Sequence, residues 1–179
     1  MSQNNAGGKM NLRDFIRDIP DFPQKGIVFR DLTPLMGNPD AFGFAVDELA
    51  NEFKGDHIDK IVAVEARGFI IGAALAYALH VGFVPARKPG KLPYKSIRKE
   101  YELEYGVSIL EMHEDAIKPG EHVLIVDDLL ATGGTVSATA DIVRSLGGDI
   151  VAYAFLVTLK DLGGASKLSG GRVVSLLEL

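Results

Sequence analysis

Unbroken apolar runs alternate along this chain with stretches in which apolar residues recur every three to four positions. Ile61 to Val64, Val81 to Pro85, Val123 to Val126 and Ile150 to Leu159 are runs of the first kind, with Val107 to Met112 and Arg172 to Leu177 as further strand candidates. Such runs suit strands covered on both faces, as in a parallel sheet. The second kind comprises Leu12, Phe15, Ile16 and Ile19, then Phe42, Val46, Leu49, Ala50 and Phe53, then the Ala-rich Phe69 to Leu79, and finally Val136 to Leu146. This spacing predicts a short amphipathic helix over 11–18 that Pro20 ends, and a second starting at an Asn38 cap with Pro39 in its first turn and running to about residue 53. Two more follow the strands at 61–64 and 123–126. Strands alternating with helices predict an α/β fold with a doubly wound, mostly parallel sheet; Gly163-Gly164 and Gly170-Gly171 mark turns near its end. No internal repeat is present.

Three segments depart from this alternation. Residues 1–9 are polar and read as a disordered leader outside the folded domain of 10–179. Around residues 20–35, prolines and a glycine bracket a brief extended run, an arrangement that suits a small hood whose backbone meets a flat ligand. From about 92 to 104, through Tyr94-Lys95-Ser96-Ile97-Arg98-Lys99-Glu100-Tyr101-Glu102, the chain is charged and short of apolar spacing, which predicts a mobile lid loop.

At 179 residues and 47% hydrophobic, the chain is long enough for one domain with a substantial core and short for two. A formal net charge of -5 argues against nucleic acid as a partner, since that binding rests on clustered cations. No cysteine is present, which excludes disulfides, thiolate zinc sites and a thiol nucleophile. No apolar run approaches the roughly 20 residues that span a bilayer, and the start lacks the apolar core of a signal peptide, so a cytoplasmic protein is expected. The histidines His57, His80, His113 and His122 show no metal-ligand spacing and receive no role.

The chemistry concentrates in Val123-Leu124-Ile125-Val126-Asp127-Asp128-Leu129-Leu130-Ala131-Thr132-Gly133-Gly134-Thr135. A strand that halts at two carboxylates and a small-residue turn before a helix has the layout of a phosphate site. Glycines let the backbone turn its N–H groups inward, hydroxyls donate, and the helix adds its unpaired amides and positive dipole end. Thr135 is a candidate cap for that helix. The turn has neither the lysine of an ATP-type loop nor the G-x-G-x-x-G of a dinucleotide site. Two acids beside an anion site must face something else, and a sugar diol or a divalent cation would suit them. Phosphate on the turn and ribose on the acids together describe a ribose 5-phosphate. A second strand-turn-helix carries Arg67, and Arg87, Lys88 and Lys91 bring three cations to one Pro/Gly loop, where they suit an incoming polyphosphate.

The segment from Val123 to Thr135 resembles the phosphoribosyl pyrophosphate signature of the type I phosphoribosyltransferases, V-[VLI]-[VLI]-V-D-D-x-x-x-T-G-G-T. Phe22-Pro23-Gln24-Lys25-Gly26-Ile27-Val28-Phe29-Arg30-Asp31-Leu32-Thr33-Pro34 and Leu103-Glu104-Tyr105-Gly106 are similar to the nucleobase-side motifs of the adenine-using branch of that family. The resemblance implies the type I phosphoribosyltransferase fold with hood and lid. It places ribose 5-phosphate on Asp127, Asp128, Ala131, Thr132, Gly133, Gly134 and Thr135, and diphosphate on Arg67, Arg87, Lys88 and Lys91. Adenine falls to Val28, whose backbone reads the base edge, to Phe29, which stacks on the ring, and to Arg30. Glu104 is implied as the catalytic residue, exchanging a proton with N7. The implied reaction joins adenine and phosphoribosyl pyrophosphate to give AMP and diphosphate, with Mg²⁺ as cofactor and a homodimeric assembly; no residue is assigned as a metal ligand, and contact of the metal with the acids, direct or through water, stays open. A transferase for another base such as xanthine, or a nucleotide-sensing regulator of the same fold, are the competing readings.

Overall fold

The computed structural model describes residues 10–103 and 106–179. They fall into two compact units, one ending at Ala45 and the other spanning Val46–Leu179.

In the first unit a 3-10 turn at Leu12–Phe15 is capped by Asn11, whose side-chain oxygen accepts from the Arg13 amide. Two strands follow, β1 (Arg17–Pro20) and β2 (Val28–Asp31), paired antiparallel with Arg17 opposite Asp31. The helix expected over 11–18 is therefore a single turn followed by a strand. Ile16 is already extended, and residues 17–20 meet their backbone partners on β2 rather than one turn back. The buried pair Leu12 and Ile16, four apart, produces the helical spacing without a helix. Asp31 ends β2 and starts α1 (Thr33–Gly37): its Oδ1 accepts from the Thr33 amide at 2.9 Å and the Thr33 hydroxyl at 2.7 Å. Helix α2 (Pro39–Glu52) begins as the cap signal predicts, with Asn38 Oδ1 accepting from the Asp40 and Ala41 amides at 3.1 and 3.0 Å.

The second unit holds β3 (Lys60–Val64), α3 (Gly68–Leu79), β4 (Gly82–Ala86), β5 (Ser96–Leu103), β6 (Gly106–His113), β7 (His122–Leu130), α4 (Gly134–Ser145), β8 (Asp149–Thr158) and β9 (Arg172–Glu178). Five strands form one sheet in the order β4-β3-β7-β8-β9, and every neighbouring pair is parallel. The β-branched runs occupy its centre: Ile61, Val62, Val123, Leu124, Ile125 and Val126 are all fully buried. Burying each such side chain contributes about 1.5–3 kcal/mol. Tyr153, also fully buried on β8, satisfies its hydroxyl by donating to the Ser169 carbonyl at 2.7 Å and accepting from Arg144 Nη2 at 3.2 Å.

β5 and β6 form a separate antiparallel hairpin, Ser96 opposite His113 and Tyr101 opposite Ser108. The segment read as a loop from its charge is thus a strand. Its alternate residues Ile97 and Tyr101 pack against the core while Arg98 and Glu100 between them are exposed, so one polar face conceals a period of two. Backbone bonds between Arg87 and Glu111, at 2.9 and 2.7 Å, fasten β6 to the end of β4.

This topology fixes where a ligand can sit. From β3 the chain winds outward to β4, and from β7 outward to β8 and β9, so the strand order reverses between β3 and β7. The loops after those two strands diverge and leave a crevice at their carboxyl ends. Among the described residues no helix is long and apolar enough to cross a membrane.

Candidate active site

The crevice at that reversal is a cavity of about 440 Å³ lined by Val64, Glu65, Ala66 and Arg67 after β3, by Asp127, Asp128, Leu129 and Ala131 of β7 and its loop, and by Lys88, Tyr101, Ser108, Leu110 and Thr135. A smaller cup of about 90 Å³ adjoins it, enclosed by Leu129 to Val136 with Asp127. Asp127, Leu129, Ala131 and Thr135 line both, so the two spaces share a wall.

The cup owes its shape to Gly133. This residue precedes the first turn of α4 with φ of 77°, and its carbonyl accepts the Ser137 amide at 2.9 Å. The helix-capping role expected of Thr135 is thus filled by Gly133, because the turn needs a left-handed residue where a threonine cap needs an extended one. Thr135 instead sits in the first helical turn, its hydroxyl 3.4 Å from the Tyr101 hydroxyl of β5. Helix α4 directs its amino end, with the amides that an α-helix leaves unpaired and the positive dipole end, at the cup.

The paired acids take different surroundings. Asp128 is buried, with Oδ2 at 2.6 Å from Arg67 Nε. Asp127 accepts the Asp128 amide at 2.9 Å on Oδ1, and its pKa is pushed well above the usual carboxylate range by burial first and by the neighbouring Asp128 charge second. The amino end of α3 presses on the same place: a Cβ on Gly68 would lie 2.6 Å from Asp127 Oδ1 and 3.2 Å from Asp127 Cα. Two carboxylates held this close favour an arriving hydroxyl pair or cation that shares their charge.

Of the four cations assigned to diphosphate, Arg67 and Lys88 line the cavity directly. Arg87 and Lys91 are gathered by Glu65, a residue to which the sequence reading gave no role. Glu65 accepts from Arg87 Nη2 at 3.2 Å, from the Lys88 amide at 3.1 Å and from Lys91 Nζ at 2.6 Å. Burial works to raise its pKa, but these donors prevail and take it from the ordinary 4.5 down to about 2. The contact therefore stabilises the fold fully above pH 4.5, and that contribution is lost as the pH falls through about 2. A carbon-detected NMR titration of the Glu65 carboxyl should show a midpoint below 3; one near 4.5 would mean that the cations are held by something else. Glu111 secures the same loop from below, accepting the Gly90 amide at 3.1 Å while Arg98 Nε lies 2.7 Å from its other oxygen.

The residues assigned to the base lie in the first unit. Val28 is exposed, Phe29 meets Phe22 edge to face at 5.2 Å between ring centres, and Arg30 pairs with Asp18 at 2.6 Å. Glu104 falls outside the described residues. Besides Glu65, the sequence reading overlooked Tyr101 and Ser108 of the hairpin as cavity walls. An acid at the end of a buried strand, one residue before the Ala66-Arg67-Gly68 turn, is the signal that could have found Glu65.

Comparison with known proteins gives consistent matches. Residues 38–170 match the phosphoribosyl transferase domain. An adenine phosphoribosyltransferase of Halothermothrix orenii is 54% identical over 94% of this chain and 99% of its own length. One from Geobacter metallireducens is 58% identical over 93% and 97% respectively. The crystal structure of adenine phosphoribosyltransferase from Thermoanaerobacter pseudethanolicus superposes with a TM-score of 0.91 at 52% identity, covering 94% of this chain and 98% of that one. The Saccharomyces cerevisiae adenine phosphoribosyltransferase, solved with adenine and an imino-altritol bisphosphate, gives 0.87 at 41% identity over 92% and 96%.

Proposed function

The chain belongs to the phosphoribosyl transferase family, with the type I fold, and from that membership we propose its reaction: transfer of 5-phosphoribosyl from phosphoribosyl pyrophosphate to adenine, giving AMP and diphosphate. The observation that supports the assignment of roles is the convergence of the Ala131 to Thr135 cup, the Asp127-Asp128 pair and the Arg67 and Lys88 cations on one connected space. The cup takes the 5′-phosphate on the amides and dipole of α4. The acids hold the ribose hydroxyls and offset positive charge as the ring becomes oxocarbenium-like, as in glycoside chemistry. Arg67 and Lys88, with Arg87 and Lys91 beside them, take the departing diphosphate.

Mg²⁺ fits this donor set, since it binds through one or two carboxylates together with substrate phosphates and keeps several waters. Bound with the donor, it would neutralise the diphosphate as that group leaves. The protein's own share is to orient the ribose and to exclude water beneath the β5–β6 hairpin.

For the base we propose Val28, Phe29 and Arg30, within a single functional domain of residues 10–179 that has its hood at about 20–35 and its lid at about 92–104. Glu104 is proposed to hold and return the proton at N7, as N9 attacks the anomeric carbon. Glu104→Gln should then lower kcat about 10²-fold or more with little change in donor KM; unchanged turnover in a steady-state assay would remove Glu104 from the role. The direct test of the reaction is nucleotide formation from the magnesium complex of the donor with adenine, hypoxanthine, guanine and xanthine. AMP as the dominant product supports the reading, and preference for another base overturns it.

We further propose a homodimer acting in purine salvage in the cytoplasm. Ile70 and Tyr77, seven apart on one face of α3, are 47% and 81% exposed, and Phe83 on the adjoining edge strand β4 is also exposed. A second copy of the chain is the occupant that would cover this apolar face in a closed, self-complementary contact. Tyr77→Asp should shift the sedimenting species toward the monomer, and an unchanged dimer would place the interface elsewhere.

A further inference from the structure

At the opposite end of the sheet from the cavity, three residues without an assigned role converge. Asp59 immediately precedes β3, His122 begins β7, and His57 lies two residues before Asp59. The strands' own pairing brings the first two together: the Asp59 amide donates to the His122 carbonyl at 2.8 Å, and the His122 amide donates to Asp59 Oδ2 at 2.8 Å. The Gly82 amide, at the start of β4, donates to the Asp59 carbonyl at 3.1 Å, so the carboxylate is carried on backbone fixed from both sides. Its two oxygens then face one imidazole each, His57 Nε2 at 3.2 Å from Oδ1 and His122 Nδ1 at 3.4 Å from Oδ2. The two rings lie side by side, 4.6 Å between centres and 31° from parallel.

We propose that His57, Asp59 and His122 form a binding site for a borderline divalent cation of the zinc class, with a fourth position left to water. One ligand atom from each residue lies within 4.8 Å of the other two. A tetrahedral ion with bonds of 2.0–2.1 Å separates its ligand atoms by about 3.3 Å. Each imidazole already lies at about that separation from one carboxylate oxygen, His57 Nε2 from Oδ1 and His122 Nδ1 from Oδ2, and His57, whose side chain is 73% exposed, can turn to bring its nitrogen to the oxygen that His122 faces. Two imidazole nitrogens and one carboxylate select zinc, cobalt, nickel or copper over magnesium, which prefers six oxygens. Lys60, next in sequence to Asp59, has its Nζ 4.0 Å from Glu121 Oε1, which offsets its charge.

Such an ion would clasp the amino ends of β3 and β7. Because β3 is five residues long, the clasp is about 16 Å from the cavity at the strands' other ends. It is therefore independent of the proposed reaction, and its failure would leave that reading untouched.

The test is calorimetric titration of the whole chain with ZnCl₂ in excess Mg²⁺, beside His57→Ala, His122→Gln and the double variant. The expected result is one zinc per chain, with affinity at least about 10-fold weaker in each single variant and no saturable site in the double. The melting temperature of the parent should rise with zinc and that of the double variant should not. AMP formation by His57→Ala without zinc should equal that of the parent. No saturable binding by the parent at about 100 µM zinc, or equal binding by the double variant, overturns the proposal.

Discussion

Gly133→Ala should reduce kcat/KM for the ribosyl donor by at least about 10²-fold while the chain stays folded. Two costs meet at this position. The backbone φ of 77° is one that a residue with a Cβ adopts at about 1–2 kcal/mol. The added Cβ would also lie 2.6 Å from the Gly164 carbonyl oxygen and 3.2 Å from its Cα, and backbone atoms on both sides leave neither partner a cheap way to yield. The cup must open, which would move the amides of the first α4 turn away from the 5′-phosphate that the proposed reading places on them. A displacement of about 1 Å at a positioning group suffices for a loss of that size. Gly163→Ala separates the two costs, since Gly163 has φ of 63° but nothing within 4 Å of its would-be Cβ. Steady-state kinetics with circular-dichroism melts decide the matter. If Gly133→Ala binds the donor as the parent does, the cup is not where the 5′-phosphate sits.

The elements legible from sequence are those whose signal is local. β3, β7 and β8 are continuous apolar runs, and Asn38 writes the start of α2 in its own side chain. The cup was legible for the same reason, because the residues lining it all lie between Asp127 and Val136. What escaped depends on partners distant in sequence. β1 exists because residues 28–31 pair with it, and β5 because Ile97 and Tyr101 find a core to pack on. The Gly164 backbone that presses on Gly133 comes from a turn 31 residues later. His57 and His122 are 65 positions apart and show no spacing, yet the parallel pairing of β3 with β7 sets their ring centres 4.6 Å apart. Glu65 stood beside a turn already singled out for Arg67, but its ties to Arg87, Lys88 and Lys91 cross more than 20 residues.

Glu65→Gln should tighten diphosphate binding by about 10- to 100-fold, or about 1.4–2.8 kcal/mol, and lower kcat where product release limits turnover. The Glu65 carboxylate occupies the donors of Arg87, Lys91 and the Lys88 amide as an anionic ligand would. A diphosphate in the proposed site meets these cations with a negative charge already among them. At about 4 Å and an effective dielectric of 20, one unit charge repels another by about 4 kcal/mol. Against that stands the ordering Glu65 provides: without its charge, Arg87 keeps only the Lys91 carbonyl, at 3.1 Å, as a side-chain anchor among the described residues. Charge-assisted bonds such as those from Arg87 and Lys91 are worth about 1.5–3 kcal/mol each in holding such a loop, but glutamine retains part of this through its amide oxygen, whereas it removes the repulsion entirely. The balance therefore favours tighter binding, and slower escape of diphosphate follows because affinity differences of this kind lie mostly in the dissociation rate. Calorimetry with magnesium diphosphate and a pre-steady-state burst of AMP ahead of a slower steady rate would both appear. Weaker binding in Glu65→Gln would reverse the assignment and make Glu65 the scaffold of the cationic loop rather than the competitor its substrate displaces.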